Sequence, residues 1–121
     1  MTVLAWVAVG LLGGVAAAAR FAVDAEIVAH AESEFPLGIL AVNLSAALAL
    51  GLVAGLALHG TALTIVAGGG IGSYSTFSTW ILDSHRLGVG GRADLAWLNI
   101  GLSLLAGFAA VSLGHWLGGA L

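Results

Sequence analysis

The sequence contains no cysteine, which excludes disulfides, thiolate metal ligands and thiol nucleophiles. It has a single proline, Pro36, so little stands in the way of long continuous helices. Charge is also scarce. Only 7% of the 121 residues are charged, where a water-soluble domain carries about a quarter. The basic residues are three arginines, Arg20, Arg86 and Arg92, and they form no patch that points to nucleic acid. The four histidines, His30, His59, His85 and His115, lack the spacing of a zinc-type motif. No Ser-His-Asp or Gly-x-Ser-x-Gly arrangement is present, so the chain is not expected to be an enzyme.

Apolar residues dominate instead. They make up 60% of the chain, and the mean hydropathy is +1.11. A chain this small cannot bury that surplus in a core of its own, so the surplus must face lipid. Four apolar runs cover about 3–21, 37–58, 62–82 and 95–117. The fold expected is an all-α integral membrane protein, one four-helix transmembrane domain over residues 1–121. No Lys or Arg precedes the first run, and it is too long for the apolar part of a signal peptide. Residues 24–34 hold four carboxylates and His30, which suggests a solvated loop or interfacial turn. Pro36 stands at the start of the second run, where proline is tolerated. Only His59-Gly60-Thr61 separates runs two and three, so these should form an antiparallel hairpin. Residues 83–94 are expected as the third loop. Both termini then lie on one side. A count of arginines places that side outside, on a bias weakened by Arg20, which stands at or inside the membrane boundary.

The third run is not uniform. Four glycines occur within Gly68-Gly69-Gly70-Ile71-Gly72, and each weakens a helix by roughly 1 kcal/mol relative to alanine. A broken helix is expected near the middle of this span. Such a break is tolerated at membrane depth only where the freed backbone is buried in protein or lines a cavity. Ser75-Thr76-Phe77-Ser78-Thr79-Trp80 follows, with four hydroxyls and two aromatic rings. Hydroxyls donate hydrogen bonds, and an aromatic ring has a positive edge. Together they can replace water around a small hard anion without fixed positive charge, so the ion can also leave. The ordinary alternative is that these hydroxyls bond their own helix or hold helices together. Asn43, Asn99 and Ser103 carry the same two readings. Arg20 either reaches out to the headgroups or gathers anions at a vestibule, and Asp83 is either a helix-end carboxylate or a vestibule group. GxxxG-type spacings at Gly10/Gly14, Gly51/Gly55, Gly68/Gly72 and Gly114/Gly118 support tight packing without naming an interface.

Taken together, these segments resemble the CrcB (Fluc) fluoride channels over essentially the whole chain. Gly13-Gly14 followed by Arg20-Phe21 is similar to the first-helix GG…R-aromatic pattern of that family. Pro36-Leu37-Gly38-Ile39-Leu40-Ala41-Val42-Asn43 is similar to its PxGTLxVN motif, and Ser103 with Gly107 to its SxxxG. Gly72-Ser73-Tyr74-Ser75-Thr76-Phe77-Ser78-Thr79-Trp80 resembles its G-G-x-T-T-F-S-T-F signature, the most specific of the four.

The resemblance implies an antiparallel, dual-topology dimer in the cell membrane, the inner membrane of a bacterium, conducting fluoride passively outward. The dimer would be a homodimer or a heterodimer with a related subunit. The resemblance further implies a structural sodium ion held by the backbone carbonyls of Gly72 and Ser75. It makes Phe77 and Trp80 the aromatics that touch fluoride and Asn43 the pore amide. Ser78, Thr79 and Ser103 form a polar track, with Asp83 near a pore mouth. Three departures stand out: Trp80 for a second Phe, Ile39 for Thr, and Ser73 and Ser75 for Gly and Thr. They raise the alternative of a diverged, non-conducting partner in a heterodimer. A small multidrug-type transporter is the other alternative of similar size, but the first span lacks the acid it relies on.

Overall fold

The computed structural model describes residues 1–121 and is helical throughout, with no strand. Helix α1 spans Val3–Ala31, α2 Leu37–Gly55 and α6 Ala93–Ala120. These three are long and apolar enough to cross a membrane. Between α2 and α6 lies a composite rod. It begins with α3 (Gly60–Leu63), continues as a π-helical stretch (Thr64–Ile71) and ends in α4 (Gly72–Tyr74). After two extended residues, α5 (Phe77–Val89) follows.

The chain is apolar on its outside. Val3, Leu11, Val15, Phe21, Leu105 and Phe108 are all exposed, whereas the buried apolar set is only Ala5, Ile39, Val42, Ala46, Val53 and Ala96. In water, leaving so much apolar surface uncovered would forfeit about 25 cal/mol per Å². In lipid that driving force vanishes, and close packing of small residues holds the helices instead. The seam between α2 and α6 shows this directly. A Cβ on Gly51 would be driven into the Val111 carbonyl oxygen, and one on Gly114 into the Leu48 carbonyl oxygen. Gly55 and Gly118 meet the opposite backbones in the same way. By contrast, nothing lies within 4 Å of a Cβ at Gly10 or Gly14, so equal spacing marks a seam in one place and open surface in another.

Several segment ends differ from the sequence expectation. Residues 24–31 are not a loop, because α1 continues to Ala31. Residues 22–31 contain neither Gly nor Pro, and at about 1.5 Å per residue the 29-residue helix outruns the ~30 Å hydrocarbon layer. Its end therefore projects into the polar region. It stops at Glu32, which takes a left-handed conformation (φ 45°). Likewise α5 runs through 83–89, which leaves only Gly90-Gly91-Arg92 as the turn before α6. Helix α2 stops at Gly55, short of 58, as Ala57 turns to φ 55°.

The interruption of the third rod lies near its middle, as expected, but a few residues beyond the glycines. The glycines at 68–72 do not break the helix. They remain helical in a wider turn, and α1 fits against them: a Cβ on Gly69 would lie 3.0 Å from the Val9 carbonyl oxygen. A Cβ on Gly13 would in turn lie 3.2 Å from the Gly69 oxygen. The missing side chains serve helix approach, and i→i+5 bonding keeps the backbone groups paired. The chain leaves the helix at Ser75 (φ −74°, ψ 161°) and Thr76 (φ −149°, ψ 121°).

Candidate functional site

Two extended residues inside an apolar rod release backbone groups that must find partners. The Thr76 N–H donates to Asn43 Oδ1 at 2.9 Å, and Asn43 Nδ2 donates to the Thr76 carbonyl, also at 2.9 Å. One side-chain amide on α2 thus reproduces the donor–acceptor pair of a neighbouring strand. The Ser75 carbonyl accepts from Arg20 Nη1 on α1 at 3.3 Å. Arg20 is therefore anchored to the break from a third direction.

Thr76 also starts the next helix. Its Oγ1 accepts the Thr79 N–H at 3.3 Å, which makes it the N-cap of α5. Its own proton points to Thr79 Oγ1 at 3.1 Å, and Ser78 Oγ lies 3.4 Å away. These caps have a consequence for the carbonyls. In a continuous helix the Thr76 N–H would close onto Gly72 and the Thr79 N–H onto Ser75. Asn43 and Thr76 Oγ1 take those two donors instead. The Gly72 and Ser75 carbonyls are thereby released from helical i→i+4 bonding, and Ser75 keeps a lone pair beyond the one facing Arg20. Neutral carbonyl oxygens are suitable ligands for a hard cation. No cluster of three or more His, Cys, Asp or Glu side chains competes for that role.

The aromatic pair stands on the first turn of α5. Phe77 and Trp80 meet edge to face, with centroids 5.4 Å apart and planes at 78°. Phe77 is 72% exposed. The Trp80 indole N–H donates to the Asn99 carbonyl on α6 at 3.2 Å. That bond settles what the extra donor of Trp80 does: it ties α5 to α6 and does not face the open side. Asn99 is 1% exposed. Its Nδ2 donates to Ser84 Oγ at 2.9 Å, and Ser84 Oγ donates to the Trp80 carbonyl at 2.9 Å. Ser103 Oγ donates to Asn99 Oδ1 at 3.4 Å. No buried side-chain polar atom is left without a partner.

These groups border an open cleft of about 310 Å³ between α2, the break and α6. Its polar lining comes from Asn43, Ser75, Thr76, Trp80 and Ser103, with Phe77 at its edge among apolar residues such as Leu50 and Leu104. Of the residues singled out from the sequence, Asn43, Ser75, Phe77, Trp80 and Ser103 share this cleft. Ser78 and Thr79 stand beside it on the hydroxyl chain from Thr76. Gly72 lies behind it, and Arg20 touches its back wall through Ser75. Asp83 belongs to a different place, a polar basin of about 470 Å³ with Asp24, Glu34, Arg86 and Arg92. There it lies 3.9 Å from Arg86.

Thr76 was read from the sequence only as one of four hydroxyls in its run, and Ser84 was not singled out at all. Thr76 is the junction of the whole arrangement, and its hydroxyl three residues before Thr79 is a capping signal. Ser84 follows Trp80 by four residues, a same-face spacing. Asn99, noted only as ambiguous, is the link between them.

Comparison with known proteins follows the same lines. Residues 7–115 match the family model described as CrcB-like protein, Camphor Resistance (CrcB). The chain is 41% identical over 117 residues to "Fluoride-specific ion channel FluC 2" of Mycobacterium tuberculosis, covering 97% of this chain and 93% of the relative. It is 44% identical over 116 residues to the protein of the same name in Mycolicibacterium paratuberculosis, covering 96% and 95%. Symbiobacterium thermophilum has two relatives, named FluC 1 and FluC 2, at 37% and 41% identity. They cover 95% and 93% of this chain, and 98% and 94% of the relatives.

Proposed function

The chain belongs to the CrcB-like family, and on that premise we propose that it is a subunit of a fluoride-selective channel through which cytoplasmic fluoride leaves the cell passively. It is a multi-pass membrane protein and a channel subunit, not an enzyme. The cell membrane of a bacterium is the setting we propose for it.

The observation that carries this function is the cleft at Ser75–Trp80. It combines hydroxyls, a side-chain amide and aromatic edges in a low-dielectric wall, with no ionised side chain among its lining residues. A small anion gains there from several oriented dipoles and is not trapped by a fixed charge. Phe77 offers the positive edge of its ring at the open side, while Trp80 shapes the wall with its N–H directed away.

One subunit does not close a pore. The cleft opens sideways and Phe77 projects from it, where lipid tails would leave an ion unsolvated. A second copy, antiparallel to the first, completes the wall and gives the assembly two equivalent clefts. The paired relatives of Symbiobacterium thermophilum support a related second chain as the other possible partner. The carbonyls of Gly72 and Ser75, contributed by both subunits, are the residues that would hold a sodium ion. When bound it supplies positive charge that lowers the cost of a nearby anion. A small multidrug-type transporter is not favoured, because residues 3–21 contain no carboxylate.

The test is fluoride efflux from liposomes containing the purified chain, followed with a fluoride electrode. Fluoride release without chloride release is expected. Absence of fluoride release from well-folded protein, alone and with a sister subunit, would overturn the assignment.

A further inference from the structure

Asn99 is almost completely buried, yet it contacts the cleft through a neighbour, and its amide has only one possible orientation. Ser84 has a single proton, which it donates to the Trp80 carbonyl. Its oxygen is then only an acceptor toward Asn99, so the Asn99 amide must turn its NH₂ to Ser84 and its oxygen to Ser103. Ser103 also has a single proton. With that proton on Asn99 Oδ1, the Ser103 hydroxyl shows the cleft only its lone pairs, which repel an anion. The alternative acceptor one turn back, the Asn99 backbone carbonyl, already receives the Trp80 indole N–H as well as its helical partner.

We infer that Ser103 is a switchable donor. Asn99 holds its proton while the cleft is empty, and the hydroxyl rotates about its Cβ–Oγ bond to donate to an anion that arrives. At 3.4 Å the Ser103–Asn99 bond is longer than the usual O–H···O hydrogen bond of about 2.5–3.0 Å, so its loss opposes the rotation only weakly. Asn99 is then a positioning residue: it never touches the ion and instead sets how strongly Ser103 competes for it. No covalent step is involved, and the proton stays on Ser103 throughout.

This role presupposes the fluoride channel proposed above, and a double-mutant cycle on fluoride efflux separates the two. The fluoride concentration giving half-maximal flux is measured for the wild type, Asn99→Ala, Ser103→Ala and the double variant. Removing Asn99 Oδ1 frees the Ser103 proton, so Asn99→Ala should lower that concentration by roughly two- to fivefold, the scale of one weak hydrogen bond. In the Ser103→Ala background the same change should have no effect. Ser103→Thr, which keeps the hydroxyl, should restore the response to Asn99→Ala. Equal shifts in both backgrounds, or none in either, would overturn the switch while leaving the channel assignment intact. Absence of flux from the wild type would instead overturn the assignment. Should Asn99→Ala fail to assemble, Ser84→Ala carries the same cycle. It removes the acceptor that fixes the amide, lets the amide flip, and should shift half-saturation in the same direction only when Ser103 is present.

Discussion

The α2–α6 seam and the Ser75–Thr76 break are built from similarly small residues, yet they solve opposite problems. At the seam, Gly51, Gly55, Gly114 and Gly118 let two intact helices approach until backbone touches backbone. Every helical hydrogen bond stays in place, and the surface left outside is apolar. At the break, helical bonds are given up, and side chains from two other helices (Arg20 and Asn43) replace or brace what was lost. The seam makes the subunit stable. The break makes it polar in one place, where an ion can be solvated. A seam tolerates no added volume, whereas a break tolerates no lost donor.

The largest expected effect comes from adding volume at the seam. Gly114→Val places a branched side chain against the Leu48 carbonyl, and no rotamer change can relieve a clash with backbone. Destabilisation above ~2 kcal/mol is expected, read as loss of monodisperse protein in detergent and a lower unfolding temperature. Gly101→Ala, on the same helix with nothing within 4 Å of the new Cβ, should leave the folding of the chain unchanged. Equal sensitivity at the two positions would abolish the distinction between seam and open surface.

Next comes the amide clamp. Asn43→Asp keeps the size of the side chain and the acceptor for the Thr76 N–H but removes the donor to the Thr76 carbonyl. An ionised carboxylate there would also face a carbonyl oxygen and the anion path. Fluoride flux should fall by at least tenfold, and stability by about 1–3 kcal/mol from the unpaired carbonyl. Wild-type flux in Asn43→Asp would show that the break does not depend on the clamp.

The two aromatics divide more finely. Phe77 is held by little within the subunit, so Phe77→Ile should cut fluoride flux by about tenfold or more with almost no change in unfolding temperature. Trp80→Phe should do much less. The lost N–H leaves an Asn99 carbonyl that still has its helical partner, so no buried group is stranded. Flux within about threefold of the wild type is expected from efflux measurements. A collapse of flux would mean that the indole N–H serves the ion after all.

Much of this was legible in the sequence, for physical reasons that vary by residue. Hydropathy alone located the helices, because lipid leaves the whole outer surface apolar. The residues of the cleft stood out as polar groups in an apolar run. Where the rod breaks was not legible from propensity. The glycines are the weakest helix formers present, but α1 rests on them, and packing outweighs propensity at Gly69. Ser75 and Thr76 leave the helix because Asn43, 33 positions earlier than Thr76, supplies the bonds that a break requires. A partner that distant leaves no local trace. Ser84 escaped for the same reason, since its importance lies in a bond between helices. The end of α1 was misjudged because charge was equated with a loop, whereas Asp24 and Glu26 are charged residues on a helix that outgrows the bilayer.

The smallest effect is expected far from both regions, in the turn before α6. Arg92 reaches Glu34 across the loops and pairs with Asp94 at 3.1 Å. The Arg92 hydrogen bond, and after it the Leu95 N–H, hold the Asp94 carboxyl below its ordinary range. A carboxyl with a lowered value in the folded state stabilises above its unfolded value of about 3.9 and loses that contribution as the pH falls through the folded value. Both side chains are well exposed, so water and salt screen the pair. Asp94→Asn should therefore leave fluoride flux unchanged at neutral pH and lower the unfolding temperature only slightly. That small difference should vanish once the pH has fallen through the lowered folded value, where the wild-type carboxyl also loses its charge. A large effect at neutral pH would mean that this turn, and not only the seam, holds α6 in register beneath Asn99 and Ser103.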